Sequence, residues 1–236
     1  MRQVPAYLLL GSGRVARHFQ RYFDLLQIPY KTWSRRDPQA PSLEALSETA
    51  SPILLLLSDP AIAGFIEEYP FLQGKKLVHF SGSLSLPGVY AAHPLMSAAA
   101  GLLDLAGYQK IPFFLAKDSP DLAELLPGLP NPSYRLPPQE RAYYHALCVL
   151  SGNFTVLLWQ KIFQEFEARF QVPKEGAYPY LQQVLGNLME NPQQALTGPL
   201  VRKDHSAIAA HLAALENDPF QGVYQAFVDA YRRLTP

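Results

Sequence analysis

The stretch Tyr7-Leu8-Leu9-Leu10-Gly11-Ser12-Gly13-Arg14-Val15-Ala16 decides the fold. Four apolar residues run into a G-x-G-x-x-A turn, the layout of a buried parallel strand handing over to a helix. Gly11 permits the tight turn, Gly13 lets the backbone come close to a ligand, and the small Ala16 lets helix and strand pack. A turn of this kind aims the unpaired N–H groups of the helix start at a pyrophosphate, with Ser12, Arg14 and Val15 completing the wrap. The same spacing also occurs in purely structural strand-helix turns, so the residues that follow decide between the two readings.

In a dinucleotide-binding unit the second strand ends roughly 20 residues past the glycines, where an acidic side chain holds the adenosine ribose. Here Pro29-Tyr30-Lys31-Thr32-Trp33 ends in Ser34-Arg35-Arg36, with no carboxylate at the tip. A hydroxyl and two guanidiniums suit a 2′-phosphate, since arginine offers a forked and permanently charged donor set. The tip therefore favours NADP over NAD. The alternative is that Arg35 and Arg36 form a solvated loop pair with Asp37 as partner; Pro38 marks Asp37 as the start of a turn.

At 236 residues, 48% of them hydrophobic and 17% charged, the chain buries substantial surface, and a subunit interface is one place for it. The formal net charge is zero and no basic block is present, which argues against nucleic acid and anionic membranes as partners. Cys148 is the sole cysteine, so no internal disulfide forms and a reducing, cytoplasmic setting is expected. Uninterrupted apolar runs such as Ile53 to Leu57 fall far short of the roughly 18 residues of a membrane span. The N-terminal apolar stretch is also too short for a signal peptide.

Further along, Ser42 to Thr49 reads as a short helix and Ile53 to Leu57 as an aliphatic strand covered on both faces. A helix starts at Ser58-Asp59-Pro60, with Asp59 as N-cap and Pro60 in the first turn. Lys76 to Phe80 is the next strand, and Ile111 to Ala116 a further one. The stretch from Pro127 to Pro138 holds five prolines in twelve residues, which excludes regular helix and central strand. It sets the expected boundary between a domain over 1–130 and one over 131–236. Beyond it the pattern is helical: Glu140 to Phe170 as one helix of about 45 Å, then about 177–190, 205–215 and 219–234. The last of these carries an apolar stripe, Phe220, Val223, Tyr224, Phe227, Val228 and Tyr231, that belongs in a core or a dimer contact.

A Rossmann unit followed by an all-helical domain resembles the 6-phosphogluconate dehydrogenase-like group of NADP oxidoreductases. The C-terminal half is similar to the Rossmann-like/DUF2520 family through Tyr144-His145, Ser151-Gly152-Asn153-Phe154, Ala195-Leu196-Thr197-Gly198-Pro199, Arg202-Lys203-Asp204 and His211-Leu212. The Leu-Thr-Gly-Pro segment with its following Arg-x-Asp is the most specific part. Lys203 stands where the family pattern has glycine, a departure expected to alter the local turn. The resemblance implies an α/β fold, with a mainly parallel sheet in the Rossmann domain and an all-helical C-terminal domain of the 6-phosphogluconate dehydrogenase type. It also implies an NADP site, and relatives that include ketopantoate reductase, pyrroline-5-carboxylate reductase and a deazaflavin-dependent NADP reductase. It supplies no substrate.

With a nicotinamide cofactor supplying hydride, the protein has to position an acceptor and manage a proton, and histidine is suited to the latter. His145, just past the proline-dense stretch, is the candidate proton donor, and Asn153 the candidate substrate anchor. Eight helical residues separate them by about 12 Å along the axis and about 80° around it, so they do not address one atom. His93, Thr197 and Arg202 are candidate substrate-binding residues, and Ser58 and Ser81 border the nicotinamide side of the cofactor. For His145 and His93 a structural histidine bonded to a carbonyl is the competing reading. Arg202 is open between a substrate carboxylate and a neighbouring acid, while Asp204 caps the helix that starts at His205. No zinc-type ligand pair and no G-x-S-x-G elbow occur, which disfavours a metal site and a serine hydrolase.

These observations together predict an NADP(H)-dependent oxidoreductase acting on a small C=O or C=N substrate in the cleft between the two domains, with a homodimer formed through the helical domain. The competing class is a non-catalytic NADP-binding regulator or scaffold. A Rossmann methyltransferase is disfavoured by the basic tip of the second strand.

Overall fold

The computed structural model describes residues 6–235. Within them the chain divides at Leu157/Leu158 into two compact units.

The first unit starts as the glycine turn dictates. Strand β1 (Tyr7–Leu10) leads into helix α1 (Arg14–Leu26), followed by β2 (Tyr30–Trp33), α2 (Leu43–Thr49), β3 (Ile53–Leu55), α3 (Asp59–Glu68) and β4 (Leu77–His79). Next come β5 (Tyr90–Pro94), α4 (Leu105–Gln109), β6 (Phe113–Ala116), α5 (Leu122–Leu125) and β7 (Ser133–Leu136). The seven strands form one sheet in the order β2-β1-β3-β4-β5-β6-β7. Strands β1 to β5 pair in parallel, β6 is antiparallel to β5, and β7 is parallel to β6. The sheet is the mainly parallel one that the sequence predicts.

Side chains alternate across a strand, and β1 shows why its run is apolar without interruption. Tyr7 and Leu9 face one core cluster with Phe19, Tyr22 and Phe23 of α1. Leu8 and Leu10 face a second cluster with Leu43 and Leu46 of α2 and Ile62 and Phe65 of α3. All four are fully buried, and each such leucine contributes about 1.5–3 kcal/mol of transfer free energy. The chain runs from β1 out to β2 and then crosses back to β3, so the strand order reverses between β1 and β3. Crevices at such switch points, at the carboxyl ends of the strands, are where open α/β sheets bind ligands.

Strands β5 and β7 are not legible from the sequence. The first, Tyr90-Ala91-Ala92-His93-Pro94, has small residues at its centre and ends in a proline; the second lies inside the proline-dense stretch expected to be a linker. Its register, Phe113↔Ser133 to Ala116↔Leu136, puts it at the sheet edge, where prolines can flank a strand. The backbone therefore stays with the first unit through this stretch, and the unit boundary falls at 157 rather than 130.

Residues 138–168 are helical throughout: a 3₁₀ turn at Pro138–Glu140, α6 (Arg141–Cys148), a π-helical segment at Val149–Asn153, and α7 (Phe154–Ala168). The π turn interrupts the regular i→i−4 hydrogen bonding between α6 and α7. By length and composition Pro138–Ala168 is long and apolar enough to cross a membrane, and none of its most apolar window is buried in the chain.

The second unit holds the rest of α7, then α8 (Tyr178–Glu190), α9 (His205–Ala214) and α10 (Phe220–Leu234), close to the expected bounds. Lys161 of α7 donates to Glu165 at 2.8 Å and to Asp218 at 2.6 Å, tying that helix to the start of α10. Asp204 caps α9 as predicted, accepting from Ala207 N at 3.0 Å and from Ser206 Oγ at 2.8 Å. Those bonds hold its carboxyl below the usual carboxylate range. Lys203 keeps the left-handed turn at φ +53°, a conformation that glycine adopts without strain. Ile208 and Val228 are buried, whereas Leu185, Leu188, Met189 and Phe227 stand exposed.

Candidate functional site

A cavity of about 590 Å³ opens over the switch point. Its floor is the glycine turn. Gly11 has φ +126°, and a Cβ there would lie 2.4 Å from the Leu56 carbonyl oxygen, so only glycine fits. Gly13 is the extended N-cap of α1, and a Cβ on it would meet no protein atom within 4 Å. The space it leaves open is the space beside the helix N-terminus, whose first N–H groups have no intrahelical partner. Ser12 and Ser58 also line the cavity, and Trp33, Ser34, Arg35 and Arg36 form its wall at the tip of β2. Arg14 and Val15 stand outside that lining, in the first turn of α1.

A second group of polar side chains gathers at the ends of β4 and β5. Arg141, at 1% exposure, donates Nη2 to the Ser81 carbonyl at 2.7 Å and Nε to the Leu84 carbonyl at 3.2 Å, while its Nη1 is buried without a partner. His145 stands one turn further along α6. Its Nδ1 is buried and unpartnered, against the Gly82 backbone. The His93 ring lies 5.7 Å from the His145 ring at 85°, and its Nδ1 is 2.8 Å from the Tyr144 hydroxyl. Burial pushes His93 down to about 4, helped by the charges of His145 and Arg141 and opposed by Asp59. His79, fully buried with neither ring nitrogen partnered, is also lowered to about 4, by burial and then Arg141, again opposed by Asp59. Burial raises Tyr144, so its hydroxyl keeps its proton. The group holds two histidines that burial keeps neutral, His79 and His93, with the Tyr144 hydroxyl on His93 and the buried Arg141 cation nearby.

Residues 115–231 match the family described as Domain of unknown function (DUF2520). This part of the chain is a DUF2520 domain. No curated protein matches the sequence. Among solved structures, the chain is similar to a Bacteroides fragilis protein provisionally classed as an NADP oxidoreductase, at 21% identity and a TM-score of 0.77, covering 98% of this chain and 99% of that one. It is also similar to Plasmodium falciparum pyrroline carboxylate reductase with NADP bound, at 14% identity and TM-score 0.60, covering 97% and 96%. A Myxococcus stipitatus imine reductase variant in complex with NAD+ follows at 17% identity and TM-score 0.58, covering 97% and 93%. These likenesses establish the fold, a Rossmann-type α/β unit followed by helices.

The DUF2520 domain supplies Arg141, Tyr144 and His145, and β4, the loop after it and β5 supply His79, Gly82 and His93, so the two parts build one cluster within the first unit. Asn153 is exposed at the end of the π segment, and Thr197 and Arg202 are exposed in the second unit. Ser81 does not line the cavity. Its hydroxyl donates to the Asp59 carboxylate and accepts from Ser83 N at 3.3 Å and Leu84 N at 3.0 Å. Asp59 is accordingly not the N-cap of α3. That place is taken by Ser58, which makes no side-chain cap bond, while the Asp59 carboxylate accepts from Ser81.

Sequence reasoning left out Arg141 and Gly82 and named Tyr144 only as part of the family resemblance, not as a site residue. A signal existed for one of them: Arg141 precedes His145 by four residues and so shares its helix face. Among the described residues, no group of three or more His, Cys, Asp or Glu could hold a metal ion.

Proposed function

We propose that this DUF2520 protein is an NADP(H)-dependent oxidoreductase that transfers a hydride to or from a small C=O or C=N substrate. The observation that carries the reading is the 590 Å³ cavity at the sheet's switch point, with a glycine turn for its floor and Ser34, Arg35 and Arg36 for one wall. The chemistry of that wall fits the group. Backbone N–H groups at the start of α1 suit a pyrophosphate, and two guanidiniums beside a hydroxyl suit a 2′-phosphate. Fold neighbours whose descriptions include bound NADP or NAD+ support a nicotinamide nucleotide.

The cofactor, when bound, supplies or takes the hydride. His145 exchanges the proton. Its Nδ1 is closed off against Gly82, which leaves Nε2 as the nitrogen that meets substrate. His93, held neutral and fixed by Tyr144, shapes the substrate side of His145. Asn153, exposed at the end of the π segment, is assigned to the substrate's remaining groups. The exposed apolar residues of the second unit, Leu185, Leu188, Met189 and Phe227, support a homodimer through the helices. The lone Cys148 supports a reducing, cytoplasmic setting.

Fluorescence titration with NADPH, followed by assay against a panel of cyclic imines and 2-oxo acids, tests the reading. Saturable NADPH binding and turnover that fails in His145→Ala support it. No binding at millimolar NADPH sinks it. NADPH binding with a biological activity indifferent to His145→Ala would instead point to a regulator.

A further inference from the structure

Two carboxylates stand close to the tip of β2, and they do different things. Asp37 turns into its own loop, where Oδ1 accepts from the Gln39 backbone N–H at 3.0 Å. Glu68, the last residue of α3, pairs with Arg35 through Oε2 and Nη2. The same guanidinium lies 5.1 Å from the centroid of Phe65 and 5.5 Å from that of Tyr69. Phe65, Glu68 and Tyr69 are spaced three and four residues apart, so one helical face offers a ring, a carboxylate and a second ring to a single arginine. Arg35 and Glu68 both line the cavity, beside Ser34 and Arg36. The arginine read as the 2′-phosphate ligand thus already holds an anion.

We propose that Glu68 grades the nucleotide preference of the pocket. It holds Arg35 on the Phe65 and Tyr69 rings, and a 2′-phosphate has to exchange with it, phosphate for carboxylate, at the guanidinium. This rests on the dinucleotide reading of the cavity. The exchange is feasible because the pair is half-exposed on both sides and exposed pairs are weak, whereas a forked arginine-phosphate contact is strong. Once displaced, however, the carboxylate stays tethered beside the phosphate and repels it. A nucleotide without the 2′-phosphate leaves the pair intact and feels neither effect. Glu68 therefore weakens NADP binding and spares NAD binding, which narrows the gap between them.

The test is fluorescence titration of the full chain with NADPH and with NADH, in the wild type, Glu68→Gln, Arg35→Ala and the double variant, with melting curves to show that each is folded. Glu68→Gln should tighten NADPH about three- to tenfold and leave NADH within about twofold, a gain that shrinks as salt is raised. In the Arg35→Ala background the Glu68→Gln gain should vanish, since the two act through one contact. Unchanged or weaker NADPH binding in Glu68→Gln overturns the proposal, as does a selective loss of NADH, which would make Glu68 a ribose ligand. Those results leave the dinucleotide reading standing if the wild type binds NADPH. A wild type that binds neither nucleotide ends both.

Discussion

His145 rests on Gly82: a Cβ built on that glycine would come within 2.1 Å of the imidazole Nδ1 and within 3 Å of two ring carbons. The backbone at Gly82 is not in the left-handed region, so what the position requires is space and not conformational freedom. Gly82→Ala should therefore fold, lose about 1–3 kcal/mol to overpacking, and drive His145 from its seat. NADPH affinity should hold, because Gly82 is off the cavity wall, while turnover drops at least about tenfold for a displaced proton donor. Comparing the titration with kcat separates the two effects.

The two glycines of the turn should respond in opposite ways. Gly11→Ala forces a side chain into a left-handed φ and against the Leu56 carbonyl, and should cost about 2 kcal/mol or more of stability. Gly13→Ala meets nothing in the protein, so its melting temperature should stay near the wild type. Its added methyl enters the space left for the pyrophosphate, and NADPH should bind about tenfold or more weakly. A normal NADPH affinity in Gly13→Ala would remove the pyrophosphate from this turn.

Arg141 joins α6 to the loop after β4 through two carbonyls, and both would be left unpaired by Arg141→Met. Each buried unsatisfied group costs about 1–3 kcal/mol, so the variant should lose about 2–6 kcal/mol of unfolding free energy. Arg141→Lys should recover only part of it, since one ammonium lacks the fork that reaches Ser81 and Leu84 together. Urea denaturation of the three proteins gives the order directly.

The cavity over the glycine turn was legible in the sequence because close approach leaves a local trace: glycines at fixed spacing, an apolar strand before them, and basic residues where β2 ends. The histidine cluster left no such trace. Gly82 and His145 are 63 positions apart in sequence and meet only because α6 is anchored on the loop after β4; nothing in Ser-Gly-Ser announces an imidazole above it. The absence of a carboxylate at the tip of β2 was a correct reading of the strand and still missed Glu68, which arrives from α3. The proline-dense stretch misled in a different way. Prolines exclude a central strand, but β7 is an edge strand, and the four residues Ser133–Leu136 between the prolines were enough to form it.

The buried histidines make stability depend on pH with a definite sign. His79 faces Arg141, Asp59 and its own strand, and His93 faces His145, Tyr144, Arg141 and Asp59; both are lowered to about 4 from an ordinary 6.5, with burial the main cause. The unfolded chain then binds more protons than the folded one between those two values. Their contribution is fully present above about pH 6.5 and is lost progressively as pH falls toward 4, with a slope of at most about 1.4 kcal/mol per pH unit for each group. Asp59 limits the loss, because a carboxylate beside the imidazoles favours their charged forms. Unfolding free energies measured across this range should fall as acid is added, and His79→Gln should flatten the fall by up to half, since glutamine cannot take up the proton. A curve in His79→Gln as steep as that of the wild type would place the acid sensitivity elsewhere.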